Sequence, residues 1–172
     1  MTEYNAKSVP NRLFFRLFQV GNMLQRQALK EMGISAVQWA VLGALSRPGY
    51  ENGVLFNELH EYLVVSRQSL DGVLKRLERD NHVVRVAHPD DGRARLVQLT
   101  DQGREFWNRL QLRIYEFYRQ ALVNFRFDDT VSLLHFLNRL QADLANVAIG
   151  SERLQECEER EVTRLGKLVV MD

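Results

Sequence analysis

Residues 66–103 read SRQSLDGVLKRLERDNHVVRVAHPDDGRARLVQLTDQG, and few folds accommodate such a stretch. Leu70, Val73, Leu74 and Leu77 recur at the spacing of one apolar helix stripe. Arg67, Gln68 and Lys75 fall on other faces. Ser66 is placed to cap this helix. Asn81 stands where a helix commonly ends in the left-handed conformation that asparagine tolerates. Residues 82–87 and 94–99 are then strand-like, with Val83, Val84, Val86, Leu96, Val97 and Leu99. His88-Pro89-Asp90-Asp91-Gly92-Arg93 joins them as a turn. A cationic amphipathic helix followed by a hairpin with two arginines near its tip has the layout of a winged helix-turn-helix. In that fold one element enters a DNA groove and the other grips its neighbour.

Charge alone does not make this case. The chain of 172 residues has a formal net charge of +1, and residues 66–95 carry seven basic against five acidic side chains. Position therefore has to carry the argument. Hydrophobic residues make up 45% of the chain, enough for a real core. The apolar runs fall far short of the roughly 20 residues of a membrane span, and the first residues are too polar for a signal peptide. The expected setting is cytoplasmic, with no membrane partner. A single cysteine, Cys157, excludes an internal disulfide, and its glutamate neighbours discourage a reactive thiolate.

The flanking segments are helical. In residues 11–32, Leu13, Leu17, Val20 and Leu24 form one stripe and Phe14 and Phe18 a second, with Gly33 as a stop. Ser35 can cap a helix ended by Pro48-Gly49, and a short helix spans about residues 56–63. Thr100 can cap a helix over 101–125, where Phe106, Leu110, Ile114, Phe117 and Ala121 share one face and Trp107, Tyr115, Tyr118 and Leu122 another. A last helix over 129–148 aligns Leu133, Leu137, Leu140, Leu144 and Val147. These helices are too long and apolar for one small winged domain to cover, so a homodimer is expected. The tail from residue 151 has four basic and six acidic residues and is expected to face away from DNA. The fold class is mainly α with a small antiparallel β wing.

Several short patterns occur in order: Gln38-Trp39-Ala40-Val41-Leu42, Glu58-Leu59-His60, Ser66-Arg67-Gln68-Ser69 through Lys75-Arg76-Leu77-Glu78, Asp91-Gly92-Arg93, and Leu99-Thr100-Asp101-Gln102-Gly103. Together they resemble the MarR family of bacterial transcription regulators. The likeness covers roughly residues 11–147. It implies a winged helix-turn-helix over 35–100, dimerisation helices over 11–32 and 101–147, and a C-terminal extension over 148–172. His60 replaces a usual small residue, Asn81 a usual glycine, and Asp71 a usual serine or threonine. The resemblance further implies a ligand-responsive regulator, a repressor released from a pseudo-palindromic double-stranded DNA operator by a small aromatic acid or its coenzyme A thioester.

The candidate contacts follow from side-chain chemistry. Arg67 can pair with guanine O6 and N7 and Gln68 with adenine N6 and N7. Ser66 and Ser69 suit phosphates, as does the helix N-terminus, and Lys75 lies on the same helix. Arg93 at the wing tip fits a narrow A·T-rich minor groove, Arg95 a phosphate, and Asp91 is placed to hold Arg93 or the turn. Arg76 divides between an internal salt bridge and a backbone contact. Asp71 is repelled by phosphates, and either accepts from a cytosine amino group or orients an arginine. For the effector, Phe14, Phe18, Trp39 and Trp107 are candidate aromatics, with core packing as the competing role. Arg16, with Arg12, Arg26 and Lys30, makes the first helix basic and can accept a carboxylate or phosphates, or serve as ordinary surface charge. The four histidines have no zinc-ligand spacing, and no pairing of nucleophile and base stands out, so no metal, cofactor or enzymatic activity is expected. The competing reading is a winged-helix protein-interaction adaptor without sequence-specific DNA binding. Near-neutral charge favours the adaptor, and Arg67, Gln68 and Arg93 argue against it.

Overall fold

The computed structural model describes residues 3–89, 91 and 93–150, with backbone alone for 3–7. The predicted tail from residue 151, with Cys157, and the turn residues Asp90 and Gly92 lie outside the described residues. The chain forms two compact units, Met1–Ala121 and Leu122–Asp172. The first contains α1 (Glu3–Met32), α2 (Ala36–Leu45), β1 (Val54–Leu55), α3 (Phe56–Leu63), α4 (Arg67–Arg79), β2 (Val83–Ala87), β3 (Arg95–Leu99) and α5 (Asp101–Ala121). The second contains α6 (Phe127–Ala145).

Local signals set most of these boundaries. Gly33, at φ 73°, closes α1 with its N–H on the Leu29 carbonyl. The Ser35 hydroxyl accepts from the Gln38 N–H at 3.1 Å while the Gln38 side chain accepts from the Ser35 N–H at 2.9 Å. That reciprocal capping box starts α2. The Ser66 hydroxyl caps α4 through the Ser69 N–H at 3.1 Å. Asn81 is left-handed at φ 55°, as expected. So is Val64 at φ 52°, a conformation uncommon for a β-branched residue; it turns the chain sharply between α3 and α4.

Four boundaries differ from the sequence reading. The first helix begins at Glu3 rather than residue 11 and runs through Pro10, which forgoes one ladder hydrogen bond without ending the helix. The helix expected over 101–125 stops at Ala121, and the last one spans Phe127–Ala145 rather than 129–148. Its start is fixed by the Arg126 N–H on Asp129 Oδ2 at 2.9 Å.

The sheet has three antiparallel strands in the order β1-β3-β2. β3 is central, with Val54 opposite Val97 on one side and Val83 opposite Leu99 on the other. The two-residue β1 was not anticipated, because so short a strand carries no readable alternation. Val83, Val97 and Leu99 turn inward and join Val41, Leu42, Leu59, Leu70, Val73, Leu74 and Leu77 in one core.

The base of the wing is tied directly to α5. The Thr100 N–H donates to the His82 carbonyl at 3.1 Å. Its hydroxyl donates to the Asn81 carbonyl at 2.6 Å and accepts from the Gly103 N–H at 2.9 Å. Gly103 lies so close that a Cβ there would stand 1.9 Å from the His82 carbonyl oxygen. The His82 ring stacks on Phe106 at 4.1 Å, and burial holds its pKa below the usual 6.5.

The long helices keep wide apolar surfaces uncovered within one chain. On α1, Phe14 is 47% and Phe18 67% exposed; on α5, Leu112 is 76% exposed. The second unit buries no residue of α6.

Two outcomes follow. Gly103→Ala should lose about 3 kcal/mol of stability or more, because backbone rather than a movable side chain meets the new methyl. Thermal denaturation checks this. For His82, the unfolded ring takes up a proton near 6.5 and the folded ring only below that. Its contribution is therefore complete above pH 6.5 and lost as pH falls. Urea midpoints compared at pH 7.5 and 5.5 should separate less in His82→Gln than in the parent chain.

Candidate nucleic-acid interface

The first turn of α4 is exposed at Ser66, Arg67, Gln68 and Ser69, while Leu70 begins the buried stripe. Packing of that stripe fixes which way the exposed residues turn. The Ser66 hydroxyl is already committed to its cap. Arg67 and Gln68 make no side-chain hydrogen bond or ion pair among the described residues, so their polar ends are available to a ligand.

The wing brings a second set of cations to the same place. A cleft of about 680 Å³ is lined by Arg67 and Asp71 of α4, Arg85 of β2, Asp91, Arg93 and Arg95 of the hairpin, and Phe56 and Asn57 of α3. Four arginines face two aspartates there. Asp91 shapes the turn by accepting from the Arg93 N–H at 2.9 Å. It therefore holds the backbone and leaves the exposed Arg93 guanidinium without an ion pair among the described residues. Arg95 is likewise exposed at the start of β3.

Other cations are already engaged. Lys75 pairs with Asp71 at 2.8 Å, one helical turn away. Arg85 pairs with Asp71 at 2.6 Å and Glu78 at 3.0 Å. Lys75 first and Arg85 second hold the Asp71 carboxyl below its usual 3.8. Of the two roles open to Asp71, orienting an arginine matches this geometry. Arg76 is exposed and makes no ion pair among the described residues. Sequence reasoning passed over Arg85, Phe56 and Asn57. Arg85 is an interruption in a run of valines, and that was the available signal.

The five effector candidates are not gathered into one of the cavities found. Arg16 lines an open hollow of about 490 Å³ along α1, with Val20, Met23 and Arg26. Trp107 lines a separate cavity of about 210 Å³ with Arg47, Arg104 and Asn108. Its indole Nε1 is buried and has no hydrogen-bond partner among the described residues, and its ring packs against Gly43. Trp39 meets Phe117 and Tyr118, each at 5.7 Å. Phe14 and Phe18 stay on the exposed surface of α1. Among the described residues, no group of three or more histidine, cysteine or acidic side chains is placed to hold a metal. No helix among them is long and apolar enough to cross a membrane.

The MarR family model matches residues 32–94, the span from the end of α1 to the wing turn. The transcriptional activatory protein BadR of Rhodopseudomonas palustris is 43% identical over 145 residues, covering 82% of this chain and 83% of BadR. The homoprotocatechuate degradative operon repressor of Escherichia coli is 30% identical over 132 residues, covering 76% of this chain and 82% of the repressor. Among solved structures, the PcaV transcriptional regulator of Streptomyces coelicolor in complex with its natural ligand is 28% identical. It superposes with a TM-score of 0.68 over 85% of this chain and 100% of PcaV. In sequence and in its winged-helix fold, the chain belongs to the MarR family of transcriptional regulators.

Proposed function

We propose that this regulator binds a pseudo-palindromic operator as a homodimer and responds to a small aromatic acid or its coenzyme A thioester. The observation that carries the DNA half is the pairing of Arg67, at the start of α4 beside the exposed Gln68, with Arg93 and Arg95 across one cleft. A helix N-terminus in the major groove and a wing tip in the adjacent minor groove make use of all four. Ser66 and Ser69 sit where the helix start meets phosphate. Lys75 joins them only by giving up Asp71. Residues 11–147 would form the regulator, 35–100 reading DNA and 11–32 with 101–147 joining the protomers. The apolar residues exposed on α1, α5 and α6 support that division.

The effector half rests on its relatives. One represses a homoprotocatechuate degradative operon, named for an aromatic acid, and PcaV was solved with its natural ligand. Arg16 and Arg26 beside Val20 and Met23 offer cations next to apolar surface, which suits an aromatic carboxylate. Repression with release on effector binding is the proposed direction. The 43% identity to an activatory protein favours a second reading, in which the same dimer activates.

Three measurements test this reading. Light scattering should give a dimer, and a stable monomer would contradict it. Fluorescence anisotropy with intergenic DNA flanking the gene should show tight binding, weakened when aromatic acids or aryl coenzyme A thioesters are added. No response to any of them rejects the effector class, and a reporter fusion separates repression from activation. Arg67→Ala should cost about 1–3 kcal/mol and relax preference at one base pair of each half-site. A uniform loss on all sequences would make Arg67 a phosphate contact. Arg93→Ala should weaken operator binding severalfold with the dimer intact, and unchanged affinity at moderate salt removes the wing from the interface.

A further inference from the structure

Asp71 lies one turn inside the exposed start of α4, on the face that meets the wing. Both of its oxygens are engaged. Oδ1 accepts from Arg85 Nη1 at 2.6 Å and Oδ2 from Lys75 Nζ at 2.8 Å. The second Arg85 nitrogen reaches Glu78 Oε2 at 3.0 Å and the Asp71 carbonyl at 3.4 Å. Asp71, Lys75 and Glu78 recur at i, i+4 and i+7, so they form one stripe of α4. A single guanidinium from β2 therefore spans two turns of the helix.

The two arms of this network differ. The Arg85 side chain is 22% exposed and that of Lys75 69%. Pairing shielded from water is held more strongly than pairing at the surface. Arg85 also sits opposite Val97 in the sheet, a position that the core fixes. Asp71 is thereby attached to a strand position paired with the fully buried Val97. A base edge approaching Asp71 has to displace Arg85 or Lys75 first.

We infer that Asp71 is a positioning residue that acts through Arg85. It locks α4 to the wing at one rotation and spacing, so that Arg67 and Arg93 reach neighbouring grooves together, and it keeps Lys75 from gripping phosphate indiscriminately. The inference rests on the DNA-reading function proposed above. It assigns to Asp71 no contact with a base.

The test uses the full chain and a duplex selected from a random library by the parent protein, with a scrambled duplex as reference. Asp71→Asn and Arg85→Gln should each lower preference for the selected duplex about tenfold or more, and the double variant no further than Asp71→Asn alone. With Lys75 released, Asp71→Asn should also bind the scrambled duplex more tightly, with a steeper salt dependence. Additive losses would overturn the inference. So would a loss confined to one base pair of each half-site, which would make Asp71 a reader of sequence. Amide exchange in the DNA-free protein gives an independent arm. Residues 83–87 should exchange faster in both single variants, and unchanged exchange in both overturns the clamp whatever the DNA result. A parent protein that prefers no sequence defeats the proposed function instead, and the exchange arm still decides the clamp.

Discussion

Burial of one face of α4 is the constraint from which the rest of the proposed DNA-facing surface follows. Leu70, Val73, Leu74 and Leu77 all enter the core, and three of them are fully buried. Each such side chain contributes about 1.5–3 kcal/mol of transfer free energy, so the helix cannot rotate to bring a different face outward. With that rotation settled, Arg67 and Gln68 are exposed, and Asp71 and Glu78 are turned toward β2. The core decides which polar groups are available for recognition.

The polar groups then divide by what they meet inside the protein. Arg67, Arg93 and Arg95 keep unpaired guanidinium groups among the described residues. Arg85, of the same residue type and lining the same cleft, is consumed by Asp71 and Glu78. A modest positive charge is thus compatible with a charged binding surface, because the cations are sorted into structural and available sets. Asp91 does related work at the tip, where its carboxylate spends itself on a backbone N–H and leaves the arginine beside it uncommitted.

Features governed by near neighbours were legible in the sequence. The caps at Ser35, Ser66 and Thr100, the left-handed Asn81 and the buried stripe of α4 each follow from a few adjacent residues. The patterns shared with the MarR family were legible for the same reason. What escaped needs register or distance. β1 becomes a strand only because β3 arrives beside it, and Arg85 meets Asp71 from 14 positions away, across the end of α4 and into the hairpin. Val64 takes its left-handed turn because α3 and α4 must both reach one core, against its own preference. The candidate effector residues are dispersed in the single chain: two pack inside, two remain on the surface of α1, and Arg16 lines a hollow of its own.

The junction of Thr100 and Gly103 with the base of the wing has a mechanical consequence. Backbone touches backbone at Gly103, and two hydrogen bonds from Thr100 brace the contact, so α5 and the wing have no slack between them. With 21 residues, α5 is a rod about 30 Å long. Tilting such a rod by about 5° swings its free end through about 3 Å. At the other end the same tilt has no joint to take it up, so helix and wing base turn as one body.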